Sequence, residues 1–117
     1  MEQFEFHPYA RDPGTGEHRR WVELEPGIEQ MTLNEDAATG RRTVLQRWRA
    51  GAANAQQNFV HDYVEEIFIV EGDLEDTRRG GRWEAGAYAY RKPGMDHGPF
   101  CSEKGCLMFI VIVPDVE

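Results

Sequence analysis

The run His61-Asp62-Tyr63-Val64-Glu65-Glu66-Ile67-Phe68-Ile69-Val70-Glu71-Gly72 holds the chain's strongest structural signal. Its centre, Ile67-Phe68-Ile69-Val70, is all β-branched or aromatic, the composition of a strand. The strand is predicted over Glu66 to Leu74. His61 and Glu65 lie four positions apart at its start, and an even spacing puts two side chains on one face of a strand.

The same grammar extends outward in both directions. Upstream, Trp21 to Leu24 ends at Glu25-Pro26-Gly27, Ile28 to Leu33 alternates and breaks at Asn34-Glu35-Asp36, and Thr43 to Arg49 ends at Ala50-Gly51. Downstream, Arg79-Gly80-Gly81 reads as a hairpin turn, Ala87-Tyr88-Ala89-Tyr90 alternates, Pro93-Gly94 breaks the pattern, and Leu107 to Val113 is a last apolar strand before Pro114. Only residues 50–57 tolerate a helix. About seven or eight short strands with turn signals every 8–12 residues predict an all-β fold. A small antiparallel β-barrel or jelly-roll sandwich is expected, because closure disposes of sheet edges. It takes up residues 19–117. Residues 1–18, broken by Asp12-Pro13-Gly14-Thr15-Gly16, read as an N-terminal arm or edge strand.

Composition narrows the function. The 117 residues fit one domain. They carry 21 acidic against 13 basic side chains, a net charge of -8. That balance argues against a nucleic-acid partner and against anchoring on anionic lipid. No apolar run approaches the ~20 residues of a membrane span. The start, Met1-Glu2-Gln3-Phe4-Glu5, is not a signal peptide, so a cytoplasmic location is expected. Cys101 and Cys106 are too few for a disulfide framework and lack the spacing of a zinc site; they read as reduced thiols.

Four histidines are present. His7 and His18 lie in the polar N-terminal stretch and read as exposed. His97 follows the turn Pro93-Gly94-Met95-Asp96, which re-aims a side chain as a new strand begins. His61, Glu65 and His97 together make a set of two imidazoles and one carboxylate. Such a set suits non-haem iron or catalytic zinc, with positions left for water or substrate. Solvated polar residues near turns are the plainer reading of the same spacing.

With these residues in view the chain resembles the cupins. Glu65 and Gly72 fit the family's E-x6-G, His61 and Glu65 fit H-x3-E, and Pro93-Gly94-Met95-Asp96-His97 is similar to the second motif, shortened by one residue between proline and glycine. Within cupins it most resembles the ChrR-like group, over roughly four fifths of the chain from Trp21-Val22 to Gly105-Cys106. Two positions depart from the pattern. Phe59 stands where the family has the first histidine of its H-x-H, and Cys101 stands where many members carry asparagine.

The resemblance implies a divalent metal ion held by His61, Glu65 and His97, with iron, zinc, nickel or manganese as candidates. A nearby amide, Gln56, Gln57 or Asn58, is available to fill the gap at Phe59, Gln57 being the named candidate. It implies a metal-dependent enzyme on a small organic substrate, such as a dioxygenase cleaving a diketone or hydroxy-ketone. A metal-free or non-redox cupin, an isomerase, lyase or binding module, is the alternative that Phe59 favours. The anti-sigma role of ChrR is not expected, since only about 20 residues precede the matching region. Expected pocket residues are Arg47, Phe59, Tyr88, Tyr90, Phe100 and Met108. Arg47, if inward, anchors a carboxylate or enolate; if outward, it is an ordinary surface arginine. Trp48 is a further lining candidate, with core packing as its default. A homodimer is expected, through edge strands or the segment Phe4-Glu5-Phe6.

Overall fold

The computed structural model describes residues 20–54, 62–94 and 98–114. They form eight strands and, among the described residues, no helix. In chain order these are β1 (Val22–Glu25), β2 (Ile28–Glu35), β3 (Arg42–Trp48), β4 (Tyr63–Asp76), β5 (Arg82–Glu84), β6 (Tyr88–Arg91), β7 (Phe100–Cys101) and β8 (Cys106–Pro114). All pairings are antiparallel, in the order β1-β2-β3-β8-β4-β5, with β6 and β7 also on β4. The fold is all-β, and the hydrogen-bonded path stays open rather than closing into a ring. Ile28 of β2, Leu74 of β4 and Phe100 of β7 meet in one interior, and backbone hydrogen bonds linking Gly51, Ala52 and Asn54 to Phe100 and Ser102 tie the two sides together. The stretch 50–54 is a turn followed by a bridge from Ala53 to Cys101, not a helix.

Strand β4 organises the molecule. It starts three residues before the predicted Glu66 and runs on to Asp76. Its first half lies between β8 and β6; its second half lies between β5 and β7. The change of layer happens at a bulge. Ile69 pairs with Met108 and Glu71 with Leu107, so Val70 is the extra residue. A bulge bends a strand and shifts its side-chain parity. Ile67 and Ile69 are buried before it, and Leu74 and Asp76 after it.

Gly72 follows the bulge at φ +81°, packed so tightly that a Cβ there would lie 1.8 Å from the Gly105 carbonyl oxygen. The turn after β4 is built by Asp76, whose carboxylate accepts the N–H groups of Arg78 and Arg79. The core gathers Ile28, Val44, Trp48, Ile67, Ile69, Leu74, Phe100, Met108, Ile110 and Ile112. Each such side chain contributes roughly 1.5–3 kcal/mol on burial.

Candidate functional site

Strand alternation turns one set of side chains into a cavity of about 540 Å³. That is within the usual ~300–1,000 Å³ of a small-molecule site. Its apolar wall includes Ile67 and Leu74 of β4, Phe100 of β7, and Met108, Ile110 and Ile112 of β8. Its polar members are Gln30, Arg42, Gln46, Asn54, Tyr63, Glu65 and Arg91, with Glu25 at the end of β1.

Four of these positions form a single transverse row. Arg42 of β3 pairs with Ile112 of β8, Ile112 with Glu65 of β4, and Glu65 with Arg91 of β6. Arg91 Nη1 donates to Glu65 Oε1 at 3.3 Å, and the guanidinium lies 4.7 Å from the Phe100 ring centroid. Burial lowers the Arg91 pKa against the opposing charges of Glu65 and Asp76, yet an arginine stays protonated in a protein. Burial, with the Glu65 charge, raises the Tyr63 phenol, so it stays neutral at ordinary pH. Arg42 Nη1 donates to the Gly40 carbonyl at 3.3 Å.

At the opposite end the amides are fixed. Trp48 Nε1 donates to Gln46 Oε1 at 2.8 Å, and Gln46 Nε2 donates to Gln30 Oε1 at 3.0 Å. Asn54 Oδ1 accepts the Phe100 N–H at 2.8 Å. Asp76 Oδ2 accepts the N–H of Gly98, immediately after His97, at 3.3 Å. Burial raises the Asp76 pKa, but the N–H groups of Arg79, Arg78 and Gly98 and the charge of Arg79 outweigh it and hold the carboxyl below 3.8.

Of the residues expected from sequence, Glu65, Phe100 and Met108 face the cavity, as does Trp48. Arg47, Tyr88 and Tyr90 do not, and the expectation for them is corrected. Val44 and Trp48 are buried inside, so Gln46 shares their face and Arg47 is turned out. There Arg47 meets Glu29 at 3.0 Å and the Trp21 ring at 3.9 Å. On β6, Ala89 packs on the core and Arg91 faces Glu65, which sends Tyr88 and Tyr90 outward at 58% and 50% exposure. Tyr88 donates its phenol hydrogen to Glu66 on that outer face.

His61, His97, Phe59 and the amides Gln56, Gln57 and Asn58 lie outside the described residues, as does the arm 1–18. Among the described residues no three His, Cys, Asp or Glu side chains gather as a metal site. Glu65 is the one described member of the expected ligand set, and its donor chemistry and placement in the wall fit a divalent cation. Its charge is already met by Arg91. Both cysteines are unbridged thiols. Burial pushes Cys106 up to about 12, and burial with the Glu75 charge raises Cys101, so neither is a ready nucleophile.

Sequence reading missed Arg91, Arg42, Gln46, Gln30 and Tyr63. The signal for Arg91 and Gln46 was the alternation itself, taken with the opposite parity. Tyr63 is two residues before Glu65 and therefore on its face.

Comparison with known proteins gives a consistent picture. A family model described as the ChrR Cupin-like domain matches residues 14–114. An RmlC-like cupin from Shewanella frigidimarina superposes with a TM-score of 0.75 at 18% identity, over 100% of this chain and 95% of that one. An acetylacetone dioxygenase from Acinetobacter johnsonii gives 0.69 at 17% identity, over 97% and 78%. The Rhodobacter sphaeroides complex of SigE with the anti-sigma ChrR gives 0.64 at 20% identity, over 83% of this chain and 50% of that one. At these identities the likeness is one of fold. No curated protein sequence matches the chain. No helix among the described residues is long and apolar enough to cross a membrane.

Proposed function

The chain belongs to the ChrR Cupin-like domain family, and from that premise we propose that it is a metal-dependent cupin enzyme acting on a small organic substrate inside the sandwich. The observation that carries this reading is the cavity of about 540 Å³, walled by apolar and polar side chains alike, with the Glu65 carboxylate among them. His61, Glu65 and His97 would hold the metal. When bound, an iron ion at such a site supplies Lewis acidity and a redox partner for O₂, the chemistry of a dioxygenase on a diketone or hydroxy-ketone.

The chain's own residues do the rest. Ile67, Leu74, Phe100 and Met108 exclude water from the substrate. The fixed Gln46 and Gln30 amides orient its polar groups. Tyr63, neutral, presents a phenol to the same end of the cavity as Glu65. Asp76 ties down the backbone at Gly98, next to His97.

The decisive experiment is elemental analysis of untagged protein purified without added metal. Wild type is expected to retain at least half an equivalent of iron, zinc, nickel or manganese, and His97→Ala to lose it. Absence of metal, with none taken up on titration, overturns the reading. It would promote the second one, a metal-free or non-redox cupin, which the Arg91–Glu65 ion pair favours because it already neutralises the carboxylate.

A further inference from the structure

Arg91 is nine-tenths buried in the cavity wall. A guanidinium carries five N–H donors in a rigid planar fork. Among the described residues one of them is used, in the single 3.3 Å bond to Glu65. The Phe100 ring lies against the guanidinium and sets its plane. Polar groups buried without partners are costly, so native interiors rarely leave such donors unmet.

The charge of the row deepens the point. Arg42, Glu65 and Arg91 occupy one line of pairing across β3, β8, β4 and β6. That is two positive charges against one negative. Asp76 also acts on Arg91, but its carboxylate is engaged by three backbone N–H groups and by Arg79 at 3.6 Å. Arg42 spends one donor on a backbone carbonyl. The row therefore has room for one more negative charge. Beyond it the next inward line of pairing is apolar, at Ile110 and Ile67, and the one after sets Met108 beside the Gln46 and Gln30 amides.

We infer that the ligand of this cavity is a small monocarboxylic acid with an apolar body, its carboxylate held by Arg91 and Arg42 and its body lying along Ile67, Ile110 and Met108. This rests on the reading of the cavity as the substrate site and gives its ligand a carboxylate, which a simple diketone or hydroxy-ketone lacks. A planar fork suits a carboxylate better than a point charge does. Within the row two arginines and one glutamate leave a net charge of one, which matches a monoanion and disfavours a dianion; Glu25 stands away from the row, opposite Ile28.

Benzoate and its neutral isostere benzamide are the probes, titrated calorimetrically into full-length protein stripped of metal. Benzoate is expected to bind at least tenfold more tightly than benzamide. Arg91→Lys and Arg42→Gln are each expected to weaken benzoate tenfold or more while leaving benzamide unchanged. Equal binding of the two probes, no binding of either, or variants that hold benzoate as wild type does overturn the inference. Should Arg91→Lys fail to fold, the wild-type comparison and Arg42→Gln still decide it. Metal content is measured on the same samples before stripping. Arginine-dependent benzoate binding by a protein that takes up no metal keeps this inference and removes the metal enzyme. Metal uptake with equal binding of both probes does the reverse.

Discussion

Asp73 shows how one buried charge is made favourable. It is 1% exposed. Its carboxylate accepts the N–H groups of Lys104 at 2.8 Å and Glu103 at 3.3 Å, lies 3.3 Å from Arg82 Nη2, and takes a 3.3 Å bond from the Ser102 hydroxyl. Burial raises its pKa, but the two N–H groups, the Arg82 charge and the hydroxyl outweigh that and hold it below 3.8. A carboxyl whose pKa is depressed by folding stabilises above its unfolded value and loses that stabilisation as pH falls through the folded value. Asp73→Asn is therefore expected to cost about 2–3 kcal/mol at neutral pH. The gap to wild type should close in acid, below the folded pKa. Urea titrations at the two pH values check this; an equal gap at both would sink it. Asp73 was invisible in the sequence, because nothing near it in the chain announces partners some thirty residues away in the β7–β8 turn. Glu65 was visible because its spacing to His61 and Gly72 fits the motif of the family that the chain resembles.

At the scale of the element, β4 explains what could and could not be read beforehand. Its centre was legible because Ile67-Phe68-Ile69-Val70 has one conformational preference and little else. Its ends were not. Tyr63 and Val64 join the strand because Val113 and Pro114 are there to pair with, and a tertiary partner is not written in local composition. Strand β7 was legible only as a new strand beginning after the His97 turn, its bounds unread for the same reason: at two residues it is set by Glu75 and Asp76 opposite and by the bridge from Cys101 to Ala53. The parity errors at Arg47, Tyr88 and Tyr90 have a different origin. In short strands with apolar residues on both faces, alternation gives two faces without saying which is inside. Gly72 supplies this element's prediction. With φ +81° and the Gly105 backbone in the way, Gly72→Ala must both strain the chain and part β4 from β8. The expected loss exceeds about 3 kcal/mol, and a urea midpoint within experimental error of wild type would contradict the packing described.

At the scale of the molecule, the sheet has an apolar outward face as well as an apolar interior. Leu107, Phe109, Val111 and Val113 of β8 point out while Met108, Ile110 and Ile112 point in, so β8 is apolar on both sides, the pattern of a strand covered twice. One line of pairing runs Met31, Leu45, Phe109, Phe68, Tyr88 across five strands. Met31 and Leu45 are buried at 2% and 7%, although neither belongs to the interior cluster, while Phe109 and Phe68 are 39% and 45% exposed. In a chain of net charge -8, this line carries no charged side chain; Glu66, bonded to Tyr88, stands in the outward line on one side of it, and Glu29, Arg47 and Glu71 stand in the one on the other. Two like-charged copies would repel least here. Light scattering is expected to give twice the 13.5 kDa chain mass, and Phe68→Glu with Phe109→Glu to give the single mass; a wild-type monomer would refute the pairing. The bulge at Val70 has one more consequence for the whole. A strand has a reading frame in space much as a gene has one in sequence, and β4 is read in two frames, one on each side of Val70. Substitution there is silent in this sense. Removal of that one residue would merge the two frames: Glu71 would follow Ile69 in unbroken alternation, Leu74 and Asp76 would stay on the cavity side, and the strand would lose its bend.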